Sequence, residues 1–249
     1  MGWLAGVDGC KGGWIAAAAP TDTLDGVRIL LVRRFRDLDA RVGGDLRIAA
    51  IDIPIGLSSE GPREADMRGR ALLGSRGSTV FASPERATLE YARSQGFFDD
   101  ARIPYRQRYG KTHEFAVASF GHGVAPHAFG IYEKIDEIDR YLTSTRDGRL
   151  FEAHPEVAFA RMNGGDALAS GKRAPDGRAA RTSLLREALS RSSVDVRPVP
   201  FQGVHYALDD LYDALSLLWV ARRIAQGVAR PIPDPPPKDS VGLPMAIWT

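Results

Sequence analysis

Aspartates at a few places in this chain have surroundings that suit metal chemistry. Ile48-Ala49-Ala50-Ile51 runs unbroken into Asp52, and Pro54 follows two positions later. A short continuous apolar run reads as a strand buried on both faces, and a proline, with no N–H to give a ladder, ends it. Asp52 then stands at a strand's C-terminal tip, where open α/β sheets place their ligands. Trp3-Leu4-Ala5-Gly6-Val7 leads into Asp8 in the same way. Near the C-terminus Asp209, Asp210 and Asp213 open a strongly apolar helix, and Asp210 and Asp213, three apart, share a helix face. Each has a plainer reading alone: Asp8-Gly9 as a hairpin turn, Asp52 as a loop cap, Asp210 and Asp213 as dipole partners, Asp209 as the helix cap. Gathered together, Asp8, Asp52, Asp210 and Asp213 would repel and raise one another's pKa values, a cost that a divalent ion removes. Oxygen-only ligands select Mg²⁺ or Mn²⁺ over zinc. Two such ions about 4 Å apart can activate a water and stabilise the leaving oxygen of a phosphodiester.

Other residues could join that chemistry. Glu152 lies near a further strand tip. His154 could be a proton shuttle, though a helix cap or a core position is the commoner role, and His154 with Glu156 could serve a small-molecule hydrolase. Lys11, in the glycine-rich turn beside Asp8, and Lys134 could meet a phosphate. Arg63, Arg68, Arg70, Arg76, Arg86, Lys172, Arg173, Arg178 and Arg181 read mostly as solvated surface. The single cysteine, Cys10, excludes an internal disulfide and a multi-cysteine zinc site, and the histidines lack a zinc spacing. Neither Gly-x-Gly-x-x-Gly after the first strand nor Gly-x-x-x-x-Gly-Lys-Ser/Thr is present.

The elements that must position these side chains can be read in order. Trp3–Val7 is a strand, Trp14–Ala19 its hairpin partner and Val27–Val32 a third apolar run. Phe35, Leu38 and Val42 mark one face of a short helix that Gly43-Gly44 stops, and the Asp52 strand follows. From about 54 to 145 the chain turns rich in glycine, arginine and aromatics. It reads as an insertion or cap, with helices at Arg63–Leu73, Thr88–Gln95 and Tyr109–Phe115 and a loop at Gly74–Phe81. A strand ends near Glu152 to His154, and Pro155 opens a helix through about Met162. Ala179–Leu189 and Leu208–Ile224 are helices, the latter with Leu211, Leu215 and Leu218 on one stripe. A proline-rich tail begins near 230, and Gly242–Trp248 is apolar enough to dock back as an edge strand.

The 249 residues suit one elaborated domain, 1–249, and the apolar and charged fractions are those of a globular protein. A net charge of +2 does not by itself point to nucleic acid. No run approaches the ~20 apolar residues of a membrane span. No signal peptide is recognisable, so a cytoplasmic location without a membrane partner is expected.

Several motifs, in order, resemble one family. They are Gly6-Val7-Asp8-Gly9-Cys10-Lys11-Gly12-Gly13-Trp14, Ile51-Asp52-Ile53-Pro54-Ile55-Gly56-Leu57, Ser78-Thr79-Val80-Phe81, Lys134-Ile135-Asp136-Glu137-Ile138-Asp139, Phe151-Glu152-Ala153-His154-Pro155-Glu156, Asp210-Leu211-Tyr212-Asp213-Ala214-Leu215 and Gly242-Leu243-Pro244-Met245-Ala246-Ile247-Trp248. The chain resembles the domain-of-unknown-function 429 family, described as predicted ribonuclease-H-like nucleases. The resemblance implies an α/β fold with a mixed five-stranded sheet flanked by helices: three antiparallel strands, then parallel ones, with a helical or irregular insertion after the fourth. It implies acidic residues on the first strand, the fourth strand and the last helix, which Asp8, Asp52, Asp210 and Asp213 match. Glu152, His154, Glu156 and Lys134 belong to the family's own pattern. The implied activity is Mg²⁺- or Mn²⁺-dependent hydrolysis of DNA or RNA, with a homodimer as the arrangement of resolvase-type members. Alternatives are a nucleotide-binding phosphotransferase of the actin-like superfamily and a non-catalytic metal- or nucleic-acid-binding domain.

Overall fold

The computed structural model describes residues 2–23, 26–189, 194–199 and 202–249. Strands β1 (Trp3–Cys10), β2 (Gly13–Pro20) and β3 (Val27–Val32) form an antiparallel meander. From Trp14 to Ala19 the side chains of β2 are wholly buried, and successive residues enter two different cores. Trp14, Ala16 and Ala18 join Ala5 and Val7 in the first, whereas Ile15, Ala17 and Ala19 join Leu4 in the second. This is the period-2 alternation of a strand covered on both faces. Helix α1 (Leu38–Val42) ends at Gly43 in the left-handed conformation, and β4 (Leu46–Ile51) returns parallel to β1.

Helices α2 (Glu64–Leu73), α3 (Arg86–Ser94), α4 (Tyr105–Phe120), α5 (Pro126–Phe129) and α6 (Tyr132–Thr145) follow before β5 (Leu150–Glu152) adds parallel to β4. The segment does more than cap the sheet. Leu89, Ala116, Phe129, Tyr132, Ile135, Ile138 and Leu142 fill the first core against β1, β2 and β4. Helix α4 runs well beyond the expected Tyr109–Phe115, and α6 has no counterpart in the sequence expectations.

Next come α7 (Pro155–Met162), α8 (Pro175–Ala188), β6 (Val194–Val199), α9 (Leu208–Ala225) and the short pair β7 (Pro231–Ile232) and β8 (Ile247–Trp248). The expected five-stranded mixed sheet is present, and β6 adds a sixth strand parallel to β3, giving the order β5-β4-β1-β2-β3-β6. The C-terminal apolar stretch pairs with β7 and touches the main sheet through a bridge from Trp248 to Ala153. Buried Asp239, in the tail, accepts the backbone N–H groups of Leu57, Val241 and Leu243 and pairs with Arg86, which also meets Asp139. Among the described residues no helix is long and apolar enough to cross a membrane.

Helix α9 lies directly on β1. A Cβ added at Gly6 would stand 2.0 Å from the Leu218 nitrogen and 2.2 Å from the Ala214 oxygen. Only a residue without a side chain lets the helix backbone come this close. Gly6→Ala should therefore push α9 off the sheet, with an overpacking cost of about 1–3 kcal/mol or more. Urea unfolding checks this, and an unchanged midpoint would contradict the contact.

Candidate metal centre

Strand register brings Asp8 and Asp52 together. Val7 pairs with Ile51, and the Asp52 N–H continues the ladder to the Val7 carbonyl at 3.0 Å. The next residues, Asp8 and Asp52, are therefore neighbours on adjacent parallel strands. Val7 and Ile51 face the first core, so both aspartates face the second, beneath α9. The Asp8 carboxylate accepts the Gly9 N–H at 2.7 Å. The Asp52 carboxylate receives no hydrogen bond among the described residues.

Helix α9 supplies the other two aspartates. Its N-cap is Ala207, so Asp209 is not the cap that its position suggested. Asp210 does the capping work instead, its Oδ2 accepting the Ala207 N–H at 2.8 Å. Asp213 is buried, and its Oδ2 accepts a 2.6 Å hydrogen bond from the ammonium of Lys172. Its Oδ1 is buried with no partner.

The titration of the cluster reflects this crowding. Burial, then Asp52, Asp213 and Asp210, hold the Asp8 carboxyl well above the usual carboxylate range. Burial raises Asp52 against the opposing fields of His154 and Lys172. Asp213 is pushed up to about 7, by burial first and by Asp52 and Glu156 against the pull of Lys172. Burial is also the first cause of the upward shift at Asp210. Against burial, Asp213 first and then Asp209 and Asp8 hold the Lys172 ammonium above its ordinary value.

Glu152 lines the same cleft as Asp8 and Asp52, with Arg63 and Asp66, but its oxygens are committed. It pairs with Ile51, one residue out of phase with Asp52, and so faces the first core. There it meets buried Arg63, with 2.6 and 2.9 Å contacts to its two oxygens, and accepts the Ile55 N–H at 2.7 Å. Arg63 also binds Asp66 and the carbonyls of Ile55 and Gly56, which fixes the loop after Asp52. Arg63, Arg86 and Arg181, expected at the surface, are buried counter-ions. Glu156 is likewise committed: one nitrogen of the wholly buried Arg181 donates to both of its oxygens, at 2.6 and 2.8 Å.

His154 takes the N-cap position of α7 without making a cap bond. Its Nε2 lies 3.2 Å from the Thr79 carbonyl. A carbonyl only accepts, so Nε2 carries a proton, and buried Nδ1 has no partner; in the neutral ring Nδ1 holds the lone pair. The Lys134 stem crosses bare Gly9, where a Cβ would lie 2.7 Å from its Cδ. Its ammonium sits 4.2 Å from the Trp14 ring centroid and donates to the Gly13 carbonyl. Burial lowers its pKa. The remaining acids of that motif hold the frame: Asp136 and Asp139 pair with Arg93, and Glu137 binds the Trp14 indole and the Phe35 N–H. Lys11 is exposed in its turn.

Asp8, Asp52, Lys134, His154 and exposed Phe81 line one open cleft of about 140 Å³ at the ends of β1, β4 and β5. Among the described residues, no group of three His, Cys, Asp or Glu side chains is already assembled to hold a metal ion. Lys172 occupies one oxygen of Asp213. Asp8, Asp52 and the free oxygen of Asp213 offer only oxygen atoms, the donor type that Mg²⁺ or Mn²⁺ prefers to zinc's nitrogen and sulfur.

Residues 6–238 match the model of a family described as "Protein of unknown function (DUF429)". The chain belongs to the DUF429 family. No match is found among curated proteins or among solved structures. In this DUF429 chain the residue that sequence reasoning passed over is Lys172, which stands in a polar stretch like any solvated lysine. The loop's return toward α9 is what distinguishes it, and a sequence carries no local sign of that.

Two outcomes follow from these contacts. Arg63→Met leaves Glu152 and Asp66 buried without a counter-ion and should cost about 3–5 kcal/mol by chemical denaturation; a cost near zero would remove the clamp. Asp52→Asn should act in the opposite sense in chelator. A carboxyl whose folded pKa is raised stabilises the fold below its unfolded pKa and loses that advantage as pH rises through the folded value. The variant should thus melt increasingly above wild type as pH rises from about 4, the ordinary aspartate value, by about 2–4 °C for each kcal/mol relieved. A difference independent of pH would contradict the raised pKa.

Proposed function

We propose that this DUF429 chain is a nuclease that hydrolyses phosphodiester bonds of DNA or RNA with Mg²⁺ or Mn²⁺ as cofactor. The observation that carries the reading is the convergence of buried Asp8 and Asp213 with half-buried Asp52, from two parallel strands and one helix, with the oxygens of Asp52 and one of Asp213 free of protein hydrogen bonds among the described residues. These three would hold the ion, and Asp210 adds negative charge from the first turn of α9. The bound ion would supply a water of lowered pKa and a counter-charge for the phosphate.

The chain's own groups support the rest of the reaction. Lys134, at the cleft beside Asp8, gives the phosphate a cationic neighbour that burial has already stripped of water. The His154 Nδ1 lone pair can take a proton from the attacking water while Thr79 holds the ring in place. As the water oxygen bonds to phosphorus, the ester P–O bond opposite it breaks, and the departing alkoxide is protonated to an alcohol. A cleft of this size suits one phosphate group with its water, so the strand would lie across the mouth near Phe81.

The test is cleavage of labelled single-stranded, duplex, hybrid and branched nucleic acids with each metal. Cleavage should stop in chelator and fall at least about 100-fold in Asp52→Asn, the upper end of what even indirect damage to a metal site costs. Failure on every substrate, or full activity in the variant, would overturn the nuclease reading.

A further inference from the structure

The motif Ser78-Thr79-Val80-Phe81 places an aromatic ring at the cleft that the proposed reaction does not use. Phe81 lines the cleft yet is 42% exposed, and the segment that carries it is held on both sides. Before it, Val80 is buried and its carbonyl accepts Arg70 Nε at 2.8 Å. After it, the Ser83 N–H donates to Asp66 at 2.9 Å, and Arg63 fixes Asp66. A clamped backbone thus presents the ring to solvent, which spares a ligand part of the ordering cost of binding.

Further rings continue outward from Phe81. His127 is exposed, and its ring centroid lies 6.3 Å from that of Phe81. Tyr105, 50% exposed, donates at 3.1 Å to the carbonyl of Pro126, the neighbour of His127, and lies parallel to the Tyr109 ring. Arg106, next to Tyr105 in the chain, is exposed and has no acidic partner among the described residues. A lone exposed aromatic needs no explanation, but a run of them that starts at a cleft holding the Lys134 ammonium does. Aromatic faces with cations beside them are the parts of a surface for unpaired nucleotides, because every base has a π-face and every link a phosphate. A duplex keeps its bases stacked inside and offers such rings only sugar and phosphate.

Resting on the reading that the cleft takes a phosphodiester, we infer that Phe81, His127 and Tyr105 form a stacking platform for the bases of a single strand, so that nucleic acid enters the cleft unpaired. The experiment measures, by fluorescence anisotropy, binding of a labelled oligothymidylate of ~12 nucleotides to the full chain, a length within the span such surfaces cover. Chelator and low salt keep the strand uncut and its phosphate contacts strong. Wild type should bind this strand more tightly than a duplex or an abasic strand of the same length. Phe81→Ala and Tyr105→Ala, both at exposed positions, should each weaken it by about 5–150-fold, the equivalent of ~1–3 kcal/mol for one stacked base, and leave duplex binding unchanged. Phe81→Trp should bind as wild type does. No binding of the single strand, equal binding of duplex or abasic strand, or full affinity in Phe81→Ala would overturn the inference, and cleavage by the same protein would then leave the nuclease reading standing. A platform that binds the strand with no cleavage in either metal would overturn the nuclease reading alone.

Discussion

The contact of α9 with β1 across Gly6 is the constraint on which the centre depends. Register alone places Asp8 beside Asp52, because both belong to adjacent strands of one sheet. No such rule governs the helix. Its height above the sheet is set where Ala214 and Leu218 rest on a residue without a side chain, and Asp213 is the neighbour of Ala214. A carboxylate on a helix is thus brought to two carboxylates on strands by backbone packing, not by any attraction among them. Their mutual repulsion opposes the arrangement, and the apolar burial of Leu211, Leu215, Leu217 and Leu218 outweighs it.

The sheet also sorts charge by parity. On the face of Ile51 lies Glu152, which Arg63 neutralises as it ties down the loop after Asp52. On the other face lie Asp8, Asp52 and Asp213, with Lys172 as the nearest cation bonded to any of them. The acidic motifs of the DUF429 chain divide along the same line. Asp136, Glu137, Asp139, Glu152 and Glu156 all have donors that hold the frame, and the aspartates under α9 keep free oxygens.

Much of this was legible in the sequence, and the boundary is physical. The meander, β4, α7 and α9 show in hydrophobic periodicity because each buries a regular face. Asp8 and Asp52 show because each interrupts an apolar run. Helix α6 was legible in principle, since Tyr132, Ile135, Ile138 and Leu142 recur at helical spacing, but the surrounding glycines and arginines hid it. Glu152 could be placed near a strand tip, yet its face depends on register with β4, which a short strand does not reveal. The arginines misled most. Arg63, Arg86 and Arg181 look like surface residues because burial of a guanidinium requires acids that lie far away in sequence.

The distance between Arg86 and Asp239 has a consequence for how the protein is made. The two are 153 positions apart, and Asp239 also holds the amide of Leu57, in the loop that follows Asp52. Synthesis runs from the N-terminus, so the sheet strands that carry Asp8 and Asp52 emerge first. Arg63 and Glu152 can tie their loop at Ile55 and Gly56, but the Leu57 amide gains its acceptor only once the proline-rich segment after α9 has left the ribosome. Asp239 is a fastener rather than a ligand, and the amide of Leu57 waits for a carboxylate made long after it.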